Sequence, residues 1–157
     1  FPGLAALDLC FSEQAEVNLL LGGDTLASAA RSRPHWQVLP FGAMPVAEFL
    51  SQTDFLVQFT ARTWRESFCR ALAEALAAGK VVIADAGTAS TFGDGAIAAT
   101  PDQVDAIIQR LIADPAAYRG QVAKGQLALK GFSEDAFLRK VSAILDDSRH
   151  ERCGAVA

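Results

Sequence analysis

Gly79 separates two runs that cannot share one backbone conformation. Before it, Glu66-Ser67-Phe68-Cys69-Arg70-Ala71-Leu72-Ala73-Glu74-Ala75-Leu76-Ala77-Ala78 is rich in small, helix-favouring residues. Directly after Lys80, Val81-Val82-Ile83-Ala84 is continuously apolar and largely β-branched. A strand without a polar alternate must be covered on both faces, which is the situation of a parallel sheet sandwiched between helices. A glycine just past the last helical residue gives the helix a clean stop. One stretch of about twenty residues therefore commits the chain to an α/β architecture.

The same alternation extends along the sequence. Leu4, Leu7 and Phe11 have helical spacing over residues 1–13, with Pro2 suited to a first turn. Strands are expected near 17–21, 36–40, 54–59 and 81–84, all parallel, with Ala96-Ile97-Ala98 as a short edge strand. Between them, Asp24 caps a short helix to about Ser32, and Pro45 to Ser51 suits one or two turns. The helix at 66–79 is expected to start at the C-terminal edge of the sheet, and Ala86 to Gly95 reads as a Gly/Thr/Ser loop. Three helices close the chain: 101–113 capped by Thr100, 115 to about 130, and 133–147 capped by Ser133. Right-handed crossovers make a Rossmann-like, doubly wound parallel sheet with helices on both faces the expected fold. One domain over residues 1–148 is expected, with 149–157 as a flexible tail.

Composition excludes several functions. With 157 residues, 51% of them hydrophobic, the chain can bury one sizeable core. A net charge of -4 leaves no electrostatic footprint for nucleic acid. No apolar run approaches the roughly 20 residues a membrane-spanning helix needs. Cys10, Cys69 and Cys153 form no Cys-x-x-Cys pair and are odd in number, which argues for a reducing compartment and against a disulfide framework or a zinc site. The histidines are His35 and His150 alone, so a histidine-based triad has little material. The chain opens on Phe1-Pro2-Gly3 without a methionine or signal pattern, as expected of a piece of a longer protein.

Glu66 and Glu74 are the chemically informative pair. A helix N-terminus offers unpaired amides and a positive dipole end, suited to a diphosphate. Eight helical residues rise about 12 Å, so two such carboxylates can touch separated parts of one extended, hydroxyl-rich ligand. The plainer reading is structural. Thr63-Trp64-Arg65-Glu66 fits a capping box, and Glu66, Arg70 and Glu74 fit a solvated i, i+4, i+8 stripe. Spacing alone leaves both open.

The order of these features resembles the nucleotide-sugar-binding, C-terminal half of retaining glycosyltransferases of the GT-B fold. Their signature is Glu, seven residues, Glu, then small residues ending in Gly. The resemblance runs from about Val17 to Leu145 and includes Leu19-Leu20-Leu21-Gly22-Gly23, Leu39-Pro40-Phe41-Gly42-Ala43-Met44-Pro45, Gln52 to Val57, and Phe92-Gly93-Asp94-Gly95-Ala96-Ile97. It implies a bacterial, cytoplasmic enzyme of polysaccharide biosynthesis that transfers a hexose from a nucleoside diphosphate sugar to a hydroxyl acceptor with retention. No metal or other cofactor is implied. Glu66 would touch the donor sugar as the catalytic carboxylate, and Glu74 the ribose. Ser67, Phe68 and Cys69 would lend amides to the diphosphate, Phe41, Gly42 and Met44 would meet the base, and Gly87 and Thr88 would line the donor site. A nucleotide-sugar epimerase of the same fold, or a nucleotide-binding module without catalysis, are the alternatives.

The departures are specific. Cys69 stands where the family usually has Gly, and Ala86-Gly87-Thr88-Ala89-Ser90 replaces a Gly-Gly-x-x-Glu turn. The family's Gly-Arg on a first strand, the following Lys and the N-terminal acceptor-binding domain have no counterpart in these residues. The resemblance therefore implies that this chain alone transfers no sugar. It also implies that the strands near 17–21 and 54–59 either close up directly or receive another segment between them.

Overall fold

The computed structural model describes residues 4–10, 18–21, 24–40, 42–60, 63 and 68–154. Eight α-helices and five strands follow in the order α1 (Leu4–Cys10), β1 (Asn18–Leu21), α2 (Asp24–Ala30), β2 (Trp36–Leu39), α3 (Val46–Ser51), β3 (Phe55–Gln58), α4 (Arg70–Ala77), β4 (Val81–Ala84), α5 (Ala86–Ala89), β5 (Ile97–Ala98), α6 (Pro101–Ala113), α7 (Pro115–Leu129) and α8 (Glu134–Gly154) among these residues. Short 3₁₀ segments occupy Ser90–Gly95 and Lys130–Phe132.

Each ladder is parallel, as the unbroken apolar strands require. β3 pairs with β4 from Phe55 opposite Val81 to Gln58 opposite Ala84, and β4 carries β5 on its other edge. β1 pairs with β2 from Asn18 opposite Trp36 to Leu21 opposite Leu39. Among the described residues β1 and β3 do not pair, so the strands form a two-stranded and a three-stranded sheet. Neither expected way of closing that gap occurs there. The effect is visible in burial: β4, flanked on both edges, is buried at every residue, whereas every residue of β3 is only partly buried.

Alternation along β4 divides the core into two layers. Val82 and Ala84 pack with Leu72, Ala75 and Leu76 of α4, Phe49 and Leu50 of α3, and Phe92. Val81 and Ile83 pack on the opposite face with Cys10 of α1, Phe59, and Val104 and Leu111 of α6. Side chains of one strand point to opposite faces, so a run of four apolar residues supplies both layers at once. Helices on both faces of a parallel sheet make the fold the Rossmann-like, doubly wound class expected.

Three boundaries differ from expectation for identifiable reasons. First, α4 begins at Arg70, because Cys69 is extended (φ -84°, ψ 97°). It stops as expected: Gly79 sits at φ 72°, its N–H donates to Leu76 O at 3.1 Å, and Lys80 N–H reaches Ala75 O at 2.9 Å, a Schellman closure. Second, residues 86–95 are a short helix and a 3₁₀ segment, not an open loop, because Asp85 caps them from the end of β4. Third, α8 continues to Gly154, past the expected end at Asp147. The caps at Thr100 and Ser133 fall as expected: Gln103 Oε1 accepts from the Thr100 N–H at 2.9 Å, and Ser133 Oγ from the Ala136 N–H at 3.3 Å.

Candidate functional site

In a parallel sheet flanked by helices, ligands lie beyond the carboxyl ends of the strands. Here that edge is formed by Gln58 to Thr60 at the end of β3, Ala84-Asp85 at the end of β4, and the starts of α4 and α5. The Gln58 side-chain amide donates to Cys69 Sγ at 3.1 Å, which places the start of α4 beside the end of β3.

Residues around the start of α4 come together in part. Cys69 is buried at the N-cap, and its side chain makes no hydrogen bond to the helix amides. Phe68, just before it, is 42% exposed yet anchored. Its ring lies 5.7 Å from Phe92 and 5.3 Å from Phe132, and those two are 5.5 Å apart, a closed triangle of tilted aromatic contacts. Segments far apart in sequence thus fix the residue preceding the helix start.

Glu74 is the fifth residue of α4, about 6 Å along the axis from Arg70 and so only about one turn from the helix start. Its carboxylate is half-buried and receives Arg70 Nε at 3.2 Å across one turn. An exposed i, i+4 pair of this kind contributes only a few tenths of a kcal/mol. It leaves other lone pairs of the carboxylate able to accept hydroxyl donors. Because α4 starts at Arg70, Thr63 is not its N-cap, and the capping-box reading of Thr63 and Glu66 does not describe this helix. Glu66 and Ser67 lie outside the described residues.

Phe41 lies outside the described residues; Gly42 is exposed at φ 79°, in the turn after β2. Met44 is half-buried against the α4 layer, with Gln52 Nε2 3.7 Å from its sulfur. Gly87 is exposed, whereas Thr88 is buried and its hydroxyl is turned inward to Asp85. Ser90 Oγ likewise donates to Gly87 O at 2.7 Å, so both hydroxyls serve the turn itself.

Asp85 is the residue that sequence reasoning overlooked. Its Oδ1 accepts from the Thr88 N–H at 3.0 Å, and its Oδ2 from the Thr60 N–H at 3.0 Å and the Thr88 hydroxyl at 2.9 Å. Since Thr88 spends its proton on Asp85, the 3.0 Å contact between the two threonine hydroxyls must have Thr60 as donor. The available signal was Asp-x-x-Thr directly after a strand, an N-cap pattern. Burial by itself raises the Asp85 pKa, but the hydrogen bonds from Thr60 and Thr88 outweigh it and hold the carboxyl below its usual 3.8. A depressed folded-state pKa adds stability above the unfolded value and loses it as pH falls through the folded one. Asp8, bonded by Arg33, shifts the same way. In a series of thermal midpoints from pH 6 to pH 2, the deficit of Asp85→Asn relative to wild type should stay constant down to about pH 4 and then shrink. A deficit that grows with acid would mean that Asp85 does not hold its proton release in the fold.

Cys10 shows the opposite environment: burial pushes its thiol up to about 11, leaving it unreactive in the core. Among the described residues no group of three or more histidine, cysteine or acidic side chains is placed to hold a metal ion, and no helix is long and apolar enough to cross a membrane.

The assembled edge and its double helical layer define a Rossmann-like half-domain of the GT-B kind. Solved structures with this fold include the Anabaena protein HepE in complex with UDP-glucose, with a TM-score of 0.67 over 93% of this chain. The same protein in complex with UDP and glucose gives 0.68 over the same share. Identity is 19% in both, and the chain spans 45% of the HepE chain. No family model and no curated protein matches the sequence.

Proposed function

We propose that this chain is the donor-binding half of a retaining glycosyltransferase that moves a hexose from a nucleoside diphosphate sugar to a hydroxyl acceptor. The observation that carries the reading is the fold likeness over 93% of the chain to a protein solved with UDP-glucose, joined to a helix start near the carboxyl edge of the sheet and a half-buried carboxylate one turn along that helix. In this reading Glu74 accepts the ribose hydroxyls and Glu66 meets the donor sugar. Amides at Ser67, Phe68 and Cys69 face the diphosphate, with Phe41, Gly42 and Met44 at the base and Gly87 at the rim. These groups act by orienting the donor and stabilising charge on the departing diphosphate. An acceptor-binding N-terminal domain and the cations of a preceding strand would complete the enzyme, which we place in the bacterial cytoplasm.

The test is binding of UDP and UDP-glucose to the 157-residue chain. A dissociation constant of about 1 mM is expected, and ligand at ten times that constant should add about 1.4 kcal/mol to stability. Labelled glucose should not be transferred by the chain alone. Absence of any nucleotide-dependent shift in the thermal midpoint up to 10 mM UDP would sink the reading.

A further inference from the structure

The last helix carries an apolar face that lies exposed. α8 rests on Lys130–Phe132 by its first turns: Ala136 is buried, and Lys140 Nζ donates to Gly131 O at 3.4 Å. On its other side Phe137, Leu138 and Ile144 are 63%, 52% and 68% exposed, and Val141 is half-buried. At 3.6 residues per turn these four positions share an arc about 120° wide, turned well away from Ala136. A stripe of that width is what a helix normally lays against a core. Single exposed apolar residues need no explanation, but a continuous stripe on one helix marks a contact surface. We propose that this face pairs with the same face of a second copy of the chain, the two α8 helices running antiparallel.

The order of charges along the helix decides the occupant. By helical register Glu134 lies in line with the stripe at its N-terminal end, and Arg152 in line with it at its C-terminal end. Asp135 and Arg149 fall on one flank, Lys140 and Asp147 on the other. A twofold axis near Ala143 sets position 134 opposite 152, 135 opposite 149 and 140 opposite 147, and every one of these joins opposite signs. Val141 then meets Ile144 of the second copy at the centre. A parallel pair would instead set Glu134 against Glu134 and Arg152 against Arg152. A bilayer fits less well, because α8 has five acidic against four basic residues, whereas helices that lie on membranes are rich in Lys and Arg. Burial of the stripe drives the association, and the rim charges fix its direction and register. The contact is smaller than the roughly 800 Å² per partner of a standard interface, so a weak dimer is expected, with a dissociation constant of about 100 μM. None of this depends on the nucleotide-sugar reading.

The experiment is sedimentation equilibrium of the 157-residue chain from about 5 to about 500 μM, a range that brackets the expected constant. Wild type should pass from monomer to dimer. Ile144→Glu changes an exposed position, so it should keep the wild-type thermal midpoint at the lowest concentration and still weaken dimerisation about tenfold or more. Lys140→Asp and Asp147→Lys should each weaken it about tenfold, because each sets like charges opposite one another twice in the dimer. An equimolar mixture of those two variants should dimerise as wild type does, since in the mixed antiparallel pair both contacts join opposite signs. A wild type that stays monomeric at the highest concentration would overturn the proposal. Cosedimentation of that monomer with vesicles of phosphatidylglycerol and phosphatidylcholine, lost in Ile144→Glu, would then give the face to a bilayer. Dimerisation untouched by Ile144→Glu would put the interface elsewhere and overturn the role of α8. Failure of the mixture to recover would overturn the antiparallel arrangement.

Discussion

Leu76→Ala should lower stability by about 2–5 kcal/mol, and Gly125→Ala should be destabilising in wild type but stabilising in the Leu76→Ala background. Leu76 is 1% exposed in the layer between α4 and β4. A Cβ on Gly125 of α7 would come within 2.6 Å of its Cδ2, closer than real contacts allow, and within 3.3 Å of Gly95 O. In wild type that crowding costs about 1–3 kcal/mol. Truncating Leu76 removes the clashing atom and opens a cavity beside the new methyl group. What then remains is partial refilling of that cavity, plus roughly 1 kcal/mol from replacing glycine by alanine in a helix interior. Urea denaturation of the four proteins in the cycle reads the coupling directly. Additive losses in the double variant would mean that α7 does not rest on α4 through this contact.

That contact illustrates which parts of the fold are legible in sequence. Strand positions were readable because Val81 to Ala84 and Phe55 to Val57 carry no polar alternate, and such runs are stable only inside a covered parallel sheet. Helix ends were readable where one residue supplies the chemistry, as with Gly79, Thr100 and Ser133. The seating of α7 was not. Gly125 looks like a helix weakener in sequence and Gly95 like a loop residue, and their value appears only where α7 crosses the 3₁₀ segment closely enough to exclude a side chain. The start of α4 was misjudged by about four residues for a related reason. Glu66 to Ala78 has helical composition throughout, but tertiary contacts decide where the helix starts: Phe68 is held by Phe92 and Phe132, and Gln58 reaches Cys69.

The candidate site divides along the same line. Its place at the carboxyl edge is what topology leads one to expect, so alternating elements are enough to propose it. The residues that line it are harder to read, because composition cannot distinguish a hydroxyl offered to a ligand from one spent on the backbone. Ser90, bonded to Gly87 O, is of the second kind, Thr88 spends its hydroxyl on the Asp85 carboxylate, and Asp85 itself, between Ala84 and Ala86, drew no notice. The missing pairing between β1 and β3 among the described residues has another origin. Local sequence specifies that each run is a strand, while its neighbour in the sheet depends on what else is present to pair with it.

Glu74→Gln should weaken UDP binding by about 1–3 kcal/mol, a five- to 150-fold rise in dissociation constant, while moving the thermal midpoint little. The two effects separate because the carboxylate's partner within the protein is weak. Arg70 is 86% exposed on its side chain, so the ion pair at 3.2 Å is largely screened by solvent and its loss costs little. A glutamine still accepts one hydrogen bond but loses the charge that strengthens contacts with two neighbouring hydroxyls. UDP and UDP-glucose should lose affinity alike, since both carry the ribose. Glu66→Gln should discriminate between them, because only the conjugate carries the sugar it is proposed to meet. Calorimetric titration of both ligands against the two variants separates the roles. A fall in the midpoint with intact affinity for Glu74→Gln would return that residue to a plain helix-surface ion pair. Equal losses for both ligands with Glu66→Gln would remove the sugar from its assignment.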